Sequence, residues 1–139
     1  MMTSDRPNTT PTLSRQQLGE LRLSLLRLHK KLLDFERTGY EQIHGQVNAY
    51  TLLDLVMHDE WFDWLHPISQ LVVQIDDLLK AEEIEILTHA SSIINQARTL
   101  LNPSETGSKF EQSYFRAIQG EPDVVLAHAD VMQFLAATR

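Results

Sequence analysis

The chain has no cysteine, which excludes disulfides, zinc–thiolate sites and thiol nucleophiles and leaves its stability to packing. No apolar run approaches the ~20 residues that span a bilayer. The first residues, MMTSDRPNTTPTLS, contain no apolar stretch of signal-peptide length, which predicts a cytoplasmic protein without a membrane partner. The five glycines, Gly19, Gly39, Gly45, Gly107 and Gly120, are isolated, so there is no glycine-rich phosphate loop and no nucleotide or other cofactor is expected. Positive charge is scarce: the net charge is -7, and phosphate neutralisation needs clustered Lys and Arg, so free DNA or RNA is not expected as a partner. No segment alternates with period two over strand length, and no internal repeat is evident.

What is present is helical. At 139 residues the chain can bury roughly two-thirds of its unfolded surface, enough for a core without staples. Residues 1–11, polar and with two prolines, are expected to form a disordered leader, and residues 12–139 a single helical-bundle domain. Ser14 with Gln17 fits a capping box. From there Leu18, Leu21, Leu25, Leu28, Leu32 and Phe35 follow steps of three and four, the stripe of an amphipathic helix that should end between Gly39 and Gly45. Gln46 to His58 is apolar on nearly every side, which predicts a short helix covered by others. Pro67 should start or kink the next helix, with Ile68, Leu71, Val72, Ile75, Leu78 and Leu79 at helical spacing.

A third long helix is predicted from about Glu82 to Leu101, with Ile84, Leu87, Ile94, Ala97 and Leu101 inward and Asn102–Pro103 as its stop. Ser108 with Glu111 makes a second capping box, and Pro122 opens the last helix, with Val124, Val125, Val131, Met132 and Leu135 inward. The fold class is therefore all-α: an antiparallel bundle of four long helices or helix pairs, broken or kinked near Pro67.

Charge is unevenly placed. Seven basic residues stand against four acidic ones in the first 37 positions, net +3, while the remainder carries five basic and fifteen acidic residues, net -10, densest from Asp54 to Glu85. The basic first helix should lie against this acidic segment.

The chemically densest run is HDEWFDWLHP, His58 to Pro67. Trp61, Phe62 and Trp64 can anchor a helix corner, with Asp59 and Glu60 at its N-terminus. Tryptophan also offers a large apolar face with one donor, as interface anchors do, so Tyr40, Trp61, Trp64 and His66 are the candidate binding residues. On a helical wheel Trp61 falls with Leu65 and Ile68 on the core stripe and Trp64 nearer its edge, which predicts a buried Trp61 and a partly exposed Trp64.

A metal site would need His58, Glu60 and His66 to converge with His89 and His128, yet the chain has no His-x-x-x-His. His89, in line with Ile86, Ile93 and Leu100, and His128, between Val124 and Val131, read as hydrogen-bonded core residues. Arg22 and His29, seven apart on one helical face with Arg15 and Glu36, resemble the catalytic pair of the HEPN helical ribonucleases. That family carries its pair on a later helix, and here the line borders the leucine seam, where interhelical salt-bridge positions lie.

The run FERTGYEQIHGQVNAYTLLDLVMHDEWFDWLHPISQLVVQID, followed late in the chain by PDVVLAH, resembles a group of small bacterial all-helical proteins. The resemblance covers about a third of the chain in its central run and implies a bacterial cytoplasmic protein. It brings no activity and no site residue. The expected function is a non-enzymatic helical module that binds another protein or its own copy as a dimer. The alternative is a small-molecule or metal-binding bundle that uses Tyr40, Trp61, Trp64, His58 and His66.

Overall fold

A computed structural model describes residues 14–138, so the leader expected over residues 1–11 lies outside the described residues. The fold is all-α: α1 (Arg15–His44), α2 (Ala49–His58), a 3₁₀ helix (Glu60–Leu65), α3 (His66–Leu79), α4 (Glu83–Leu100), α5 (Lys109–Gly120) and α6 (Pro122–Ala137), with no strand among the described residues. None of the described helices is long and apolar enough to cross a membrane.

The ends of these helices follow local chemistry. The Ser14 hydroxyl accepts from the Gln17 N–H at 3.2 Å and the Gln17 amide oxygen accepts from the Ser14 N–H at 2.9 Å, completing the capping box of α1. The helix stops at Gly45, whose φ of 88° is left-handed backbone that a side chain resists. The turn that follows is held by Arg37, which donates to the Val47 carbonyl at 2.7 Å, and by Glu41, which accepts from the Val47 N–H at 2.9 Å. That N–H holds the Glu41 carboxyl below its usual range. Pro67 falls in the first turn of α3, where no intrahelical donor is lost.

α1 is the central element, packed against α3 on one side and α6 on the other; α4 covers α3, and α5 lies between α6 and the 3₁₀ helix. Leu18, Leu21, Leu25, Leu28 and Leu32 are fully buried and share one core with Ile68, Leu71 and Ile75 of α3 and Val124, Val131 and Leu135 of α6.

Beside this seam runs a second line, Arg15, Arg22, His29 and Glu36, at heptad spacing. Arg15 donates to the carbonyls of Leu79 and Ala81 at the end of α3, Arg22 pairs with Asp76, and His29 meets the Ser69 hydroxyl at 3.1 Å. The numbers rise along α1 as they fall along α3, so this polar line fixes an antiparallel register. Arg22–Asp76 is also where the basic first helix meets the acidic segment.

Three expectations are corrected. α2 has no buried residue: Leu52, Leu55 and Val56 touch the core, while Tyr50, Leu53 and Met57 are exposed. A helix apolar on every side can still have only one side covered, and α2 rests chiefly on the short 3₁₀ helix. In α4 the inward face is Ile86, Ala90, Ile93, Ile94 and Ala97, whereas Ile84 and Leu87 point out. His89 is exposed on that helix and faces Glu85 at 3.4 Å, because α3 covers the neighbouring arc instead. In α6, Val124, Val131 and Leu135 are buried but Val125 is exposed.

Gly19 inside α1 and Gly45 at its C-cap should respond oppositely to alanine. Nothing lies within 4 Å of a Cβ placed at Gly19, so Gly19→Ala removes a flexible residue from a helix interior and should stabilise by about 0.5–1 kcal/mol. Gly45→Ala forces a side chain to positive φ and should destabilise by about 1 kcal/mol. Urea unfolding of both variants checks the pair; shifts of equal sign would contradict the assigned backbone at Gly45.

Candidate functional site

Glu36 stands four residues after Leu32, on the buried side of α1, and is only 3% exposed. A carboxylate there must find donors, and it finds three. The Trp61 indole N–H donates to Oε1 at 2.9 Å, the Trp64 indole N–H to Oε2 at 3.0 Å, and the Arg116 guanidinium to Oε2 at 2.7 Å. One side chain thus joins α1, the 3₁₀ helix and α5.

The local pitch explains how both tryptophans reach it. In a 3₁₀ helix residues i and i+3 eclipse, so Trp61 and Trp64 project the same way. The α-helical wheel, at 100° per residue, mis-sorts them: Trp64 is the buried one, 7% exposed, and Trp61 is half-buried, the reverse of the expectation. Trp64 turns inward against Phe110, with ring centres 5.4 Å apart.

Of the four candidate binding residues, the structure brings Tyr40 and Trp61 edge-to-face at 5.4 Å, and Tyr40 stacks on His44 at 4.2 Å. Trp64 shares the Glu36 carboxylate with Trp61 but faces the core. His66 is separate: its Nε2 lies 3.0 Å from the Val56 carbonyl, tying α3 to α2. His58 is exposed and meets Asp54 at 3.1 Å. Among the described residues no three His, Asp or Glu side chains gather as metal ligands. Glu36 and Arg116, which the sequence reading left out of the site, organise it. The available signal was a carboxylate one helical turn beyond a run of buried leucines.

Beside the tryptophans lies a groove of about 780 Å³. Its floor is the α1 stretch from Lys31 to Gln42, its walls the 3₁₀ helix and α5, and Glu121 and Asp123 stand at the start of α6. The Trp61 ring lies on α1 at Gly39, where an added Cβ would make ordinary contact with it at 3.5 Å.

Two partly buried sets of polar side chains lie elsewhere. Arg22 and His29 both turn toward α3, onto Asp76 and Ser69, so this pair serves as interhelical contacts. The fully buried Tyr114 shares a 2.6 Å hydrogen bond with Nδ1 of His128, and burial pushes the phenol far above its ordinary range. Burial also lowers the pKa of His29, aided by nearby His66, and that of His128.

The outer surface of α2 has a different character. Tyr50, Leu53 and Met57 follow steps of three and four, one helical face, and are 89%, 59% and 56% exposed. Asp54 on the same helix and Glu60 and Asp63 just after it are exposed too, and no Lys or Arg occurs between Arg37 and Lys80.

Removing the Glu36 carboxylate should be the most damaging polar change. Glu36→Ala leaves the buried Trp64 N–H without an acceptor and should cost about 3 kcal/mol, and Glu36→Gln less, because it keeps one acceptor oxygen. Equal unfolding midpoints for the two variants and the native chain would refute the role. Stability should also fall as pH drops below about 6.5. There the unfolded chain takes up protons at histidines that burial keeps neutral in the native state, so stability is full above the unfolded pKa and declines beneath it. A His29→Asn, His128→Asn double variant should flatten the melting temperature between pH 7 and pH 5; an unchanged slope would assign the acid loss elsewhere.

No protein-family model, curated protein or solved structure matches the chain, so its functional reading rests on the chemistry of α2 and of the groove.

Proposed function

We propose that the protein is a non-enzymatic, cytoplasmic docking module whose α2 face receives an amphipathic helix of a partner protein with basic flanks. The observation that carries this reading is the exposed stripe Tyr50–Leu53–Met57 on a helix that buries none of its residues. Covering a side chain of this kind contributes about 1.5–3 kcal/mol, and an apolar helical stripe is the surface that another helix's i, i+3, i+4 anchors fit.

Charge selects the partner. Asp54 shares the helix with the stripe and Asp63 follows on the next one, no Lys or Arg occurs between Arg37 and Lys80, and the whole chain is net -7. A second copy would bring these carboxylates face to face, whereas Lys or Arg beside a partner's apolar stripe would be steered toward them. The partner is therefore a different, basic helix, and its association should weaken with salt.

A designed 18-residue helix with leucines at this spacing and lysine flanks provides the probe, read by fluorescence anisotropy. It should bind the native protein more tightly than the same helix with glutamate flanks. A Leu53→Asp, Met57→Asp variant should lose at least tenfold in affinity with stability changed by no more than about 0.5 kcal/mol, as expected of surface positions. Equal binding of the two helices would overturn the charge argument. A dimer by light scattering that this variant dissociates would assign the face to a second copy.

A further inference from the structure

The groove beside Trp61 is distinct from the α2 face, and α5 supplies its most specific chemistry. Lys109, Ser113 and Arg116, four and three residues apart, share one face of that helix and line the groove. Ser113 is 8% exposed, and its hydroxyl has no hydrogen-bond partner among the described residues. A buried hydroxyl is normally paired, so this one marks a place for an acceptor from outside. Arg116 bonds Glu36 through one terminal nitrogen, which orients the guanidinium and leaves its other N–H groups unengaged among the described residues. Lys109 has no ion-pair partner among them either. Two cations and a hydroxyl that can meet at Ser113 match a carboxylate.

The remaining lining decides what that carboxylate belongs to. Asp34, Glu60, Glu121 and Asp123 also border the groove, and they outnumber its cations once Arg116 is set against Glu36 and Lys31, 3.7 Å away, against Asp123. A polyanion such as a phosphate ester would be repelled, while a ligand with a positive end as well as a carboxylate is complementary. Phe35 and Trp61 add apolar faces to the lining. The floor from Lys31 to Gln42 runs about 16 Å at 1.5 Å per residue. A tripeptide, about 10 Å of extended chain at about 3.3 Å per residue, fits within that length.

We infer that this groove binds a short zwitterionic peptide, its terminal carboxylate held by Arg116, Ser113 and Lys109 and its terminal ammonium facing the acidic rim. The site does not depend on the docking role of α2.

Isothermal titration calorimetry with the tripeptide alanyl-alanyl-phenylalanine tests it on the intact protein. Saturable binding is expected, weakened at least tenfold by C-terminal amidation and severalfold by N-terminal acetylation. Lys109→Ala and Ser113→Ala should each weaken it, the lysine change by about tenfold, the loss of one charge-assisted hydrogen bond. Both should leave the melting temperature close to native, since neither removes a donor from Glu36. The Leu53→Asp, Met57→Asp variant should bind the tripeptide normally, which separates this site from the α2 face. No saturable binding to the native protein, equal affinity for acid and amide, or unchanged affinity in both α5 variants would overturn the inference. Displacement of the tripeptide by inorganic phosphate would overturn the ligand class.

Discussion

A single buried carboxylate governs the arrangement of this fold around its site. Glu36 cannot sit beside the leucine seam of α1 unless its oxygens are satisfied, and no backbone donor satisfies them. Two indoles and a guanidinium do so, and each donor brings its own element into place. The 3₁₀ pitch is what allows two tryptophans on one short segment to share the acceptor. The same bonds place the Trp61 ring along the groove and hold Arg116 at its edge, so the groove's shape and the core's integrity rest on the same contacts.

α1 carries two parallel codes at heptad spacing. The leucines supply burial without direction, since any helix with an apolar face can cover them. Arg15, Arg22, His29 and Glu36 supply direction, because their partners, Leu79 with Ala81, Asp76, Ser69, and Trp64 with Trp61, run backward along the chain as α1 runs forward. α2 lies outside both codes. It hangs on the 3₁₀ helix through its inner residues and on His66 through the Val56 carbonyl, which leaves an apolar face uncovered.

Much of this was legible in the residues, and the failures share a cause. Both capping boxes, the leucine stripe, the stop at Gly45 and the start at Pro67 depend on chemistry within one or two turns. Periodicity says which residues share a face, but coverage by a neighbour decides whether that face is inside. Ile84, Leu87, Val125 and the whole of α2 were therefore misjudged as inward. The tryptophans were inverted because the wheel assumed an α pitch where the backbone is tighter. Glu36 went unassigned to the site because its partners lie 25, 28 and 80 residues away, beyond any local pattern.

Those three separations also differ in what they cost to close. Closing a loop costs entropy that grows with the logarithm of its length, and moving from 28 to 80 residues adds about 0.9 kcal/mol. The indoles can therefore reach Glu36 while α5 is still unplaced, in a hairpin of α1 and α3 that the polar line already holds in register. Arg116 closes the longest of the three loops, and α5 brings with it the wall of the groove. The half of the molecule that provides the aromatic surface forms at lower entropic cost than the half that provides the cations, and the cavity exists only in the finished fold.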